Sequence, residues 1–397
     1  MKITKFFVAA LASLAMFSCS NDEEMTNDSK HQNTALSVSV ANIMNGTRAV
    51  GDLAVPNEEG LVYVDGEATL TINYTIGGKA KTATAKLTFE EGKCTAIVPD
   101  EASKAQMTTS LTDKKVTLWN AGTVGTVSVT INNGKKSIGD GTSIEDYVGI
   151  PAKEIPAYAE DTPELTNNQG TFNTGGNNGA AEPDYKNYYY YEVTLKPANT
   201  EFARIELSDI YYAEPEATRK FSELKLVDVV LDNAIQKKGD TTGKEINFAI
   251  ADLTKIDWGF YHDQVTENND MLNTKKGEGL PVAKNGKTQS FAYNFWAKQL
   301  PIVRLHFKAK EAVGKPVVAP DQWAFVDKYV KKGDVAETAM TADDFEAGVI
   351  YRITSAKLVD KNIVPDPKGD KQFAVVVTVE PVKWTVTDVD AIWHENN

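Results

Sequence analysis

The sequence predicts an all-β chain, with two β-sandwich domains in tandem behind a short N-terminal signal and prosegment. Three observations carry this. Short segments with period-two alternation of apolar and polar side chains recur along the chain, the pattern of strands that bury one face. Turn dipeptides separate them, at Asp65-Gly66, Gly77-Gly78, Glu91-Gly92 and Asn133-Gly134. A stretch rich in Pro, Asn, Gly and Thr, 151–187, interrupts the pattern with few apolar anchors, as an inter-domain connection or long surface loop does.

A chain of 397 residues can build two or three cores, and 42% hydrophobic with 24% charged residues is ordinary for a globular protein. The net charge of −13 argues against nucleic acid as a partner and against electrostatic adhesion to anionic lipid.

Residues 1–18 read as an export signal. Lys2 and Lys5 precede an apolar run of twelve, 6–17, too short to span a bilayer comfortably. Ser18-Cys19 follows, a small residue and then Cys, which resembles a bacterial lipoprotein cleavage site and makes Cys19 the lipidated first residue of the exported chain. Cys94 is then alone, so no intrachain disulfide is expected. Its place at a strand start suits a small, half-buried side chain.

Residues 19–48 form a prosegment with one strand. Leu36, Val38 and Val40 alternate with Ser37 and Ser39, Asn45-Gly46 makes a turn, and Arg48 precedes Ala49. A strand joined by a short loop to an exposed basic residue can be cut away from the domain it completes. What remains is an apolar groove with unpaired backbone groups, open to a strand from another molecule.

The first sandwich, 49–187, takes strands at 61–64, 68–76, 82–89, 95–98, 116–119 and 126–131. Thr142-Ser143-Ile144-Glu145 has capping-box spacing and predicts a short helix, closed by Gly149 and Pro151. The second sandwich, 188–397, opens on YYYYEVTL at 188–195. Alternation there sets Tyr188 and Tyr190 on one face and Tyr189 and Tyr191 on the other, as sheet packing rather than a sugar-stacking platform. Further strands fall at 202–210, 224–231, 291–295, 302–309, 349–356 and 373–379, with a polar loop at 254–286. The tail stays apolar to the end. Val382, Trp384 and Val386 share one parity, Val389, Ala391 and Trp393 the other, with a kink at Thr387-Asp388. It reads either as a donor strand for another subunit or as the last strand of its own domain.

No catalytic chemistry emerges. His31, His262, His306 and His394 are far apart, and there is no HExxH, CxxC, GxSxG or P-loop. No enzyme, cofactor or metal site is expected, and His306, in LHF on a strand, reads as a packed or edge histidine.

Several pieces together resemble the fimbrillin family, the type V pilins of Bacteroidales. They are the lipoprotein-like start with its acidic Asp22-Glu23-Glu24, the strand and basic residue of 35–48, and Ile155-Pro156-Ala157-Tyr158. VTLKPANTEFARIEL at 193–207, FEAGVIYRI at 345–353 and VTVEPVKWTV at 377–386 complete the set. The pattern departs from the family at Pro197 and Ala198. The resemblance implies two transthyretin-like β-sandwich domains, an outer-membrane lipoprotein precursor and assembly at the cell surface. It implies that an Arg-specific protease cuts between Arg48 and Ala49, removing the strand of Leu36, Val38 and Val40. A donor strand, by position Trp384, Val386, Val389, Ala391 and Trp393, then links copies and related pilins into a linear adhesive polymer. The competing expectation is a monomeric surface lipoprotein whose sandwiches bind glycan, with exposed aromatics such as Trp258 and Tyr261.

Overall fold

The computed structural model describes residues 34–41, 43, 48–50, 59–61, 66–90, 93–148, 150, 154–166, 189–207, 210–243, 260–262, 270–271, 291–315, 319–366 and 375–383. The protein is all-β. In chain order the strands begin β1 (Thr34–Ser39), β2 (Arg48–Val50), β3 (Glu59–Leu61), β4 (Gly66–Ile76), β5 (Lys79–Glu90), β6 (Lys93–Pro99), β7 (Met107–Ser110) and β8 (Lys115–Trp119). They continue with β9 (Thr123–Ile131), β10 (Ala157–Asp161), β11 (Leu165–Thr166), β12 (Tyr189–Thr194), β13 (Phe202–Leu207), β14 (Ile210–Tyr212) and β15 (Phe221–Asp232). The last are β16 (Phe260–His262), β17 (Asp270–Met271), β18 (Phe291–Trp296), β19 (Ile302–Glu311), β20 (Asp321–Lys331), β21 (Val349–Leu358) and β22 (Val375–Lys383).

The first half is a sandwich of two five-stranded sheets, ordered β11-β12-β1-β8-β7 and β10-β9-β4-β5-β6. Alternation decides what they bury. Leu70 and Ile72 of β4, Leu87 of β5 and Val129 of β9 point inward and meet Leu36 of β1 with Val116 and Leu118 of β8 in one core. In the second half a single hydrogen-bonded path runs β16-β15-β19-β20-β22-β21-β13-β18. Strands distant in this path also meet: the Tyr293 hydroxyl of β18 donates to the Val229 carbonyl of β15 at 2.8 Å. Phe307, Tyr329, Phe345 and Tyr351 fill the core between.

The two halves share packing and charge. Phe202, at the head of β13, lies 4.9 Å from the Tyr147 ring and stacks on Trp296 at 4.7 Å. Arg204, fully buried, donates to Glu206 at 2.8 Å and to the Asn294 side-chain oxygen at 3.0 Å. Asn294 in turn donates from its amide to the Tyr147 and Ile150 carbonyls at 2.7 and 2.9 Å. Arg352 donates to the other oxygen of Glu206 at 3.1 Å.

Several sequence expectations are corrected here. Residues 142–148 form no regular helix but a turn, closed by Tyr147 and Val148 N–H groups on the Ile144 carbonyl. The stretch 151–187 is not all loop: β10 pairs with β9 and β11 with β12. Its inward side chains are Ala157 and Ala159, small enough to hide the strand pattern. The polar run 254–286 likewise contributes β16 and β17 to the edge of β15. The strand at 188–195, read as opening the second sandwich, lies as β12 in the first half's sheet.

One glycine is held by its neighbours. Gly122 has φ +57, and a Cβ there would come within 2.2 Å of the Thr75 carbonyl oxygen. Gly122→Ala combines left-handed strain with a backbone clash and is expected to cost at least about 1–3 kcal/mol, read as a lowered thermal midpoint.

Candidate assembly site around the first strand

β1 is a central strand, not an edge. It runs parallel to β12, with Leu36 opposite Tyr191 and Val38 opposite Val193. On its other flank it runs antiparallel to β8, with Leu36 opposite Leu118 and Val38 opposite Val116. Further backbone bonds carry the ladder past both ends. Ala121 N–H donates to the Thr34 carbonyl at 2.9 Å, Val40 N–H to Lys114 at 2.8 Å, and Ala198 N–H to Ile43 at 3.4 Å.

Leu36, Val38, Val40 and Ile43 are buried in the first core. Each contributes about 1.5–3 kcal/mol by burial. The outer face is covered too: Ala35 packs with Trp119 and Tyr190, and Ser37 is 3% exposed opposite Thr117. Small side chains on β1 let these larger neighbours close over it. The Thr117 hydroxyl is buried and has no hydrogen-bond partner. Taking β1 out would part the sheet in the middle, leaving β8 and β12 each with an unpaired row of backbone groups.

The connection downstream of β1 is weaker. Arg48 and Ala49 lie in β2, opposite Leu61 and Gly60 of β3, in a two-stranded ladder outside the larger sheets. Such an isolated pair is marginal in water. The other arginines of the chain are four: Arg204, Arg219, Arg304 and Arg352. Arg204, Arg304 and Arg352 sit inside strands of the large sheet, with Arg304 donating to Asp232 at 2.6 Å. Arg219 is in a turn, its N–H bonded to the Pro215 carbonyl at 2.9 Å.

Of the remaining residues singled out in the sequence, Cys19 and the tail positions Trp384, Val386, Val389, Ala391 and Trp393 lie outside the described residues. Cys94, at the start of β6, is a free buried thiol, and burial pushes its pKa up. His306 stacks on Trp323 at 4.3 Å and meets Asp321 at 2.8 Å through Nε2. Tyr190 and Tyr191 are both buried, on opposite faces of β12, so neither offers a ring to a ligand. Among the described residues no three His, Cys, Asp or Glu side chains gather to hold a metal ion, and no helix is long and apolar enough to cross a membrane. Sequence reasoning found β1 but missed its central position, because strand order depends on pairings far apart in the chain.

The fold is thus an all-β chain whose first sheet is completed in the middle by its N-terminal strand. No protein-family model matches it, and no curated protein does. Among solved structures it is similar to a candidate cell adhesion protein from Bacteroides eggerthii, at 13% identity over 89% of this chain and 96% of that one, with a TM-score of 0.42. It is similar to a fimbrilin from Porphyromonas gingivalis at 12% identity, covering 89% and 99%, with a TM-score of 0.43. A candidate cell adhesion protein from Parabacteroides distasonis matches at 11%, covering 89% and 100%, with a TM-score of 0.43.

Proposed function

We propose that the protein is a non-enzymatic structural subunit of a cell-surface fibre, exported as a lipoprotein through Cys19. It consists of a first sandwich domain within 49–187 and a second within 188–397, with β12 lent back to the first. An Arg-specific protease cuts after Arg48, the segment carrying β1 leaves, and a strand from a neighbouring copy takes its slot. The observation that carries this reading is the position of β1: central and buried on both faces, yet separated from Arg48 by only the eight residues 40–47.

Three of the other four arginines lie in strands of the large sheet, whereas Arg48 lies in the two-stranded β2–β3 ladder, which favours Arg48 as the point of cutting. The tail supports the choice of donor. Trp384-Thr385-Val386-Thr387 repeats the apolar–hydroxyl alternation of Leu36-Ser37-Val38-Ser39. Threonines on the outer side would bring a hydroxyl to Thr117, which Ser37 leaves unpartnered.

N-terminal sequencing of the surface-extracted protein tests the reading, and Ala49 is the expected first residue. Arg48→Ala should leave full-length precursor and no high-mass ladder on a gel of unheated surface extract. A normal ladder from that variant would overturn it.

A further inference from the structure

We infer that a crevice at the end of β18 binds an acidic sugar, with Lys298 receiving its carboxylate. The crevice belongs to the second half and is complete whether or not β1 leaves, so it goes beyond the strand-exchange reading and does not rest on it.

Backbone bonds fix the two walls. On one side, the segment after β15 is pinned to the first half: Lys238 N–H donates to the Thr142 carbonyl at 2.9 Å, and Gly141 N–H to the Lys238 carbonyl at 2.8 Å. On the other, Trp296 ends β18 and the chain bends over residues 297–299. There Ala297 N–H donates to the Glu201 carbonyl at 3.2 Å and Lys298 N–H to the Phe345 carbonyl at 2.7 Å. Gln299, 7% exposed, joins the walls, its side-chain oxygen accepting from Ile235 N–H at 2.8 Å. The space between measures about 360 Å³. That is within the range of small-molecule sites, and too little for a folded partner.

The lining joins an apolar surface to a few polar groups. Ile235, Trp296 and Ala347 supply the apolar part, and Lys238, Asp240 and Lys298 the charges. The two cations differ. Lys238 is committed within the protein, donating to Glu201 and to the Ile138 carbonyl, both at 2.6 Å. Lys298 makes no ion pair among the described residues, and its Nζ donates to the Asp343 backbone carbonyl. Its backbone is left-handed, at φ +63, where Asn or Gly sits more readily than Lys. Strain of this kind gathers at ligand clamps.

Unused donors then decide the ligand. Trp296 is 5% exposed, and its indole N–H is buried with no hydrogen-bond partner among the described residues. Gln299 has given its oxygen to Ile235, which leaves its amide NH2 to donate. Together with Lys298 these groups call for oxygen acceptors, and a carboxylate supplies two of them with the opposite charge. Asp240, on the facing wall, accepts from hydroxyls. Ile235 and Ala347 suit a C–H face. A carboxylate, hydroxyls and a C–H face on one small ring describe an acidic sugar.

Precursor carrying isotopically labelled tryptophan tests this by NMR, and the indole signal missing from Trp296→Phe is that of Trp296. The probes are methyl glucuronide and a methyl sialoside, with methyl glucoside and acetate as controls. The Trp296 signal is expected to move downfield and saturate with at least one acidic sugar, and to stay in place with both controls at the same concentration. Lys298→Asn keeps the left-handed backbone while removing the charge, and should weaken binding about tenfold or more. No movement with either acidic sugar overturns the inference. So does an equal response to methyl glucoside or acetate, or unchanged affinity in Lys298→Asn. None of these outcomes touches the cutting at Arg48, which N-terminal sequencing decides separately.

Discussion

A chain that begins at Ala49 from the outset, and so never carries β1, is expected to lose cooperative folding of its first half. The loss is large because β1 is the middle strand of five. Burial of Leu36, Val38, Val40 and Ile43 goes with it, at about 1.5–3 kcal/mol each. The backbone flanks of β8 and β12 open as well. Since whole domains are stable by only about 5–15 kcal/mol, a deficit of this size removes most of the margin. In urea the first-half core should unfold well before the second, giving two transitions where the precursor gives one or a closer pair. A peptide of residues 34–43 should restore the lost transition, contributing about 2.7 kcal/mol at a hundredfold excess over its dissociation constant. A 49–397 chain that melts like the precursor would show that β1 does not complete the core.

The second large effect is expected at the contact between the halves. Arg204→Ala leaves Glu206, 2% exposed, with Arg352 alone, and takes the donor from the Asn294 side-chain oxygen. Breaking a buried pair in this way costs about 3–5 kcal/mol. Replacing both members with apolar residues, Arg204→Met with Glu206→Leu, should recover most of it, because no buried carboxylate then lacks its partner. Equilibrium urea unfolding of the three chains measures this. A single mutant within about 0.5 kcal/mol of the parent would mean the cluster is already hydrated.

The sequence made the strands legible wherever inner and outer faces differ in polarity, as in β4 and β1. It concealed them where that contrast fails. β10 escaped notice because Ala157 and Ala159 are too small to mark a buried face. β20 escaped because Asp327-Lys328 interrupts its apolar run at the point where pairing with β22 shifts register. For β1 itself, the serines suggested a wet outer face, whereas the rings of Trp119 and Tyr190 close over Ala35 beside them. Which sheet receives a strand was out of reach: nothing local in YYYYEVTL says that it will lie beside residues near the start of the chain. Of the candidate site, the strand and its basic neighbour could be read in advance. The two-sided ladder that gives them meaning could not.

That long-distance pairing has a consequence for how the protein is made. Thr34 finds its partner Tyr189 only about 155 residues later. At a synthesis rate of about 5–20 residues per second, roughly 8–30 s separate the appearance of the two. Throughout that interval one side of the slot does not yet exist, and Leu36 and Val38 have nowhere permanent to go. Contacts this remote in sequence slow folding and lengthen the time in which apolar segments meet wrong partners. The first half of the polypeptide therefore cannot close until residue 194 has appeared, and holding chaperones should engage it before then.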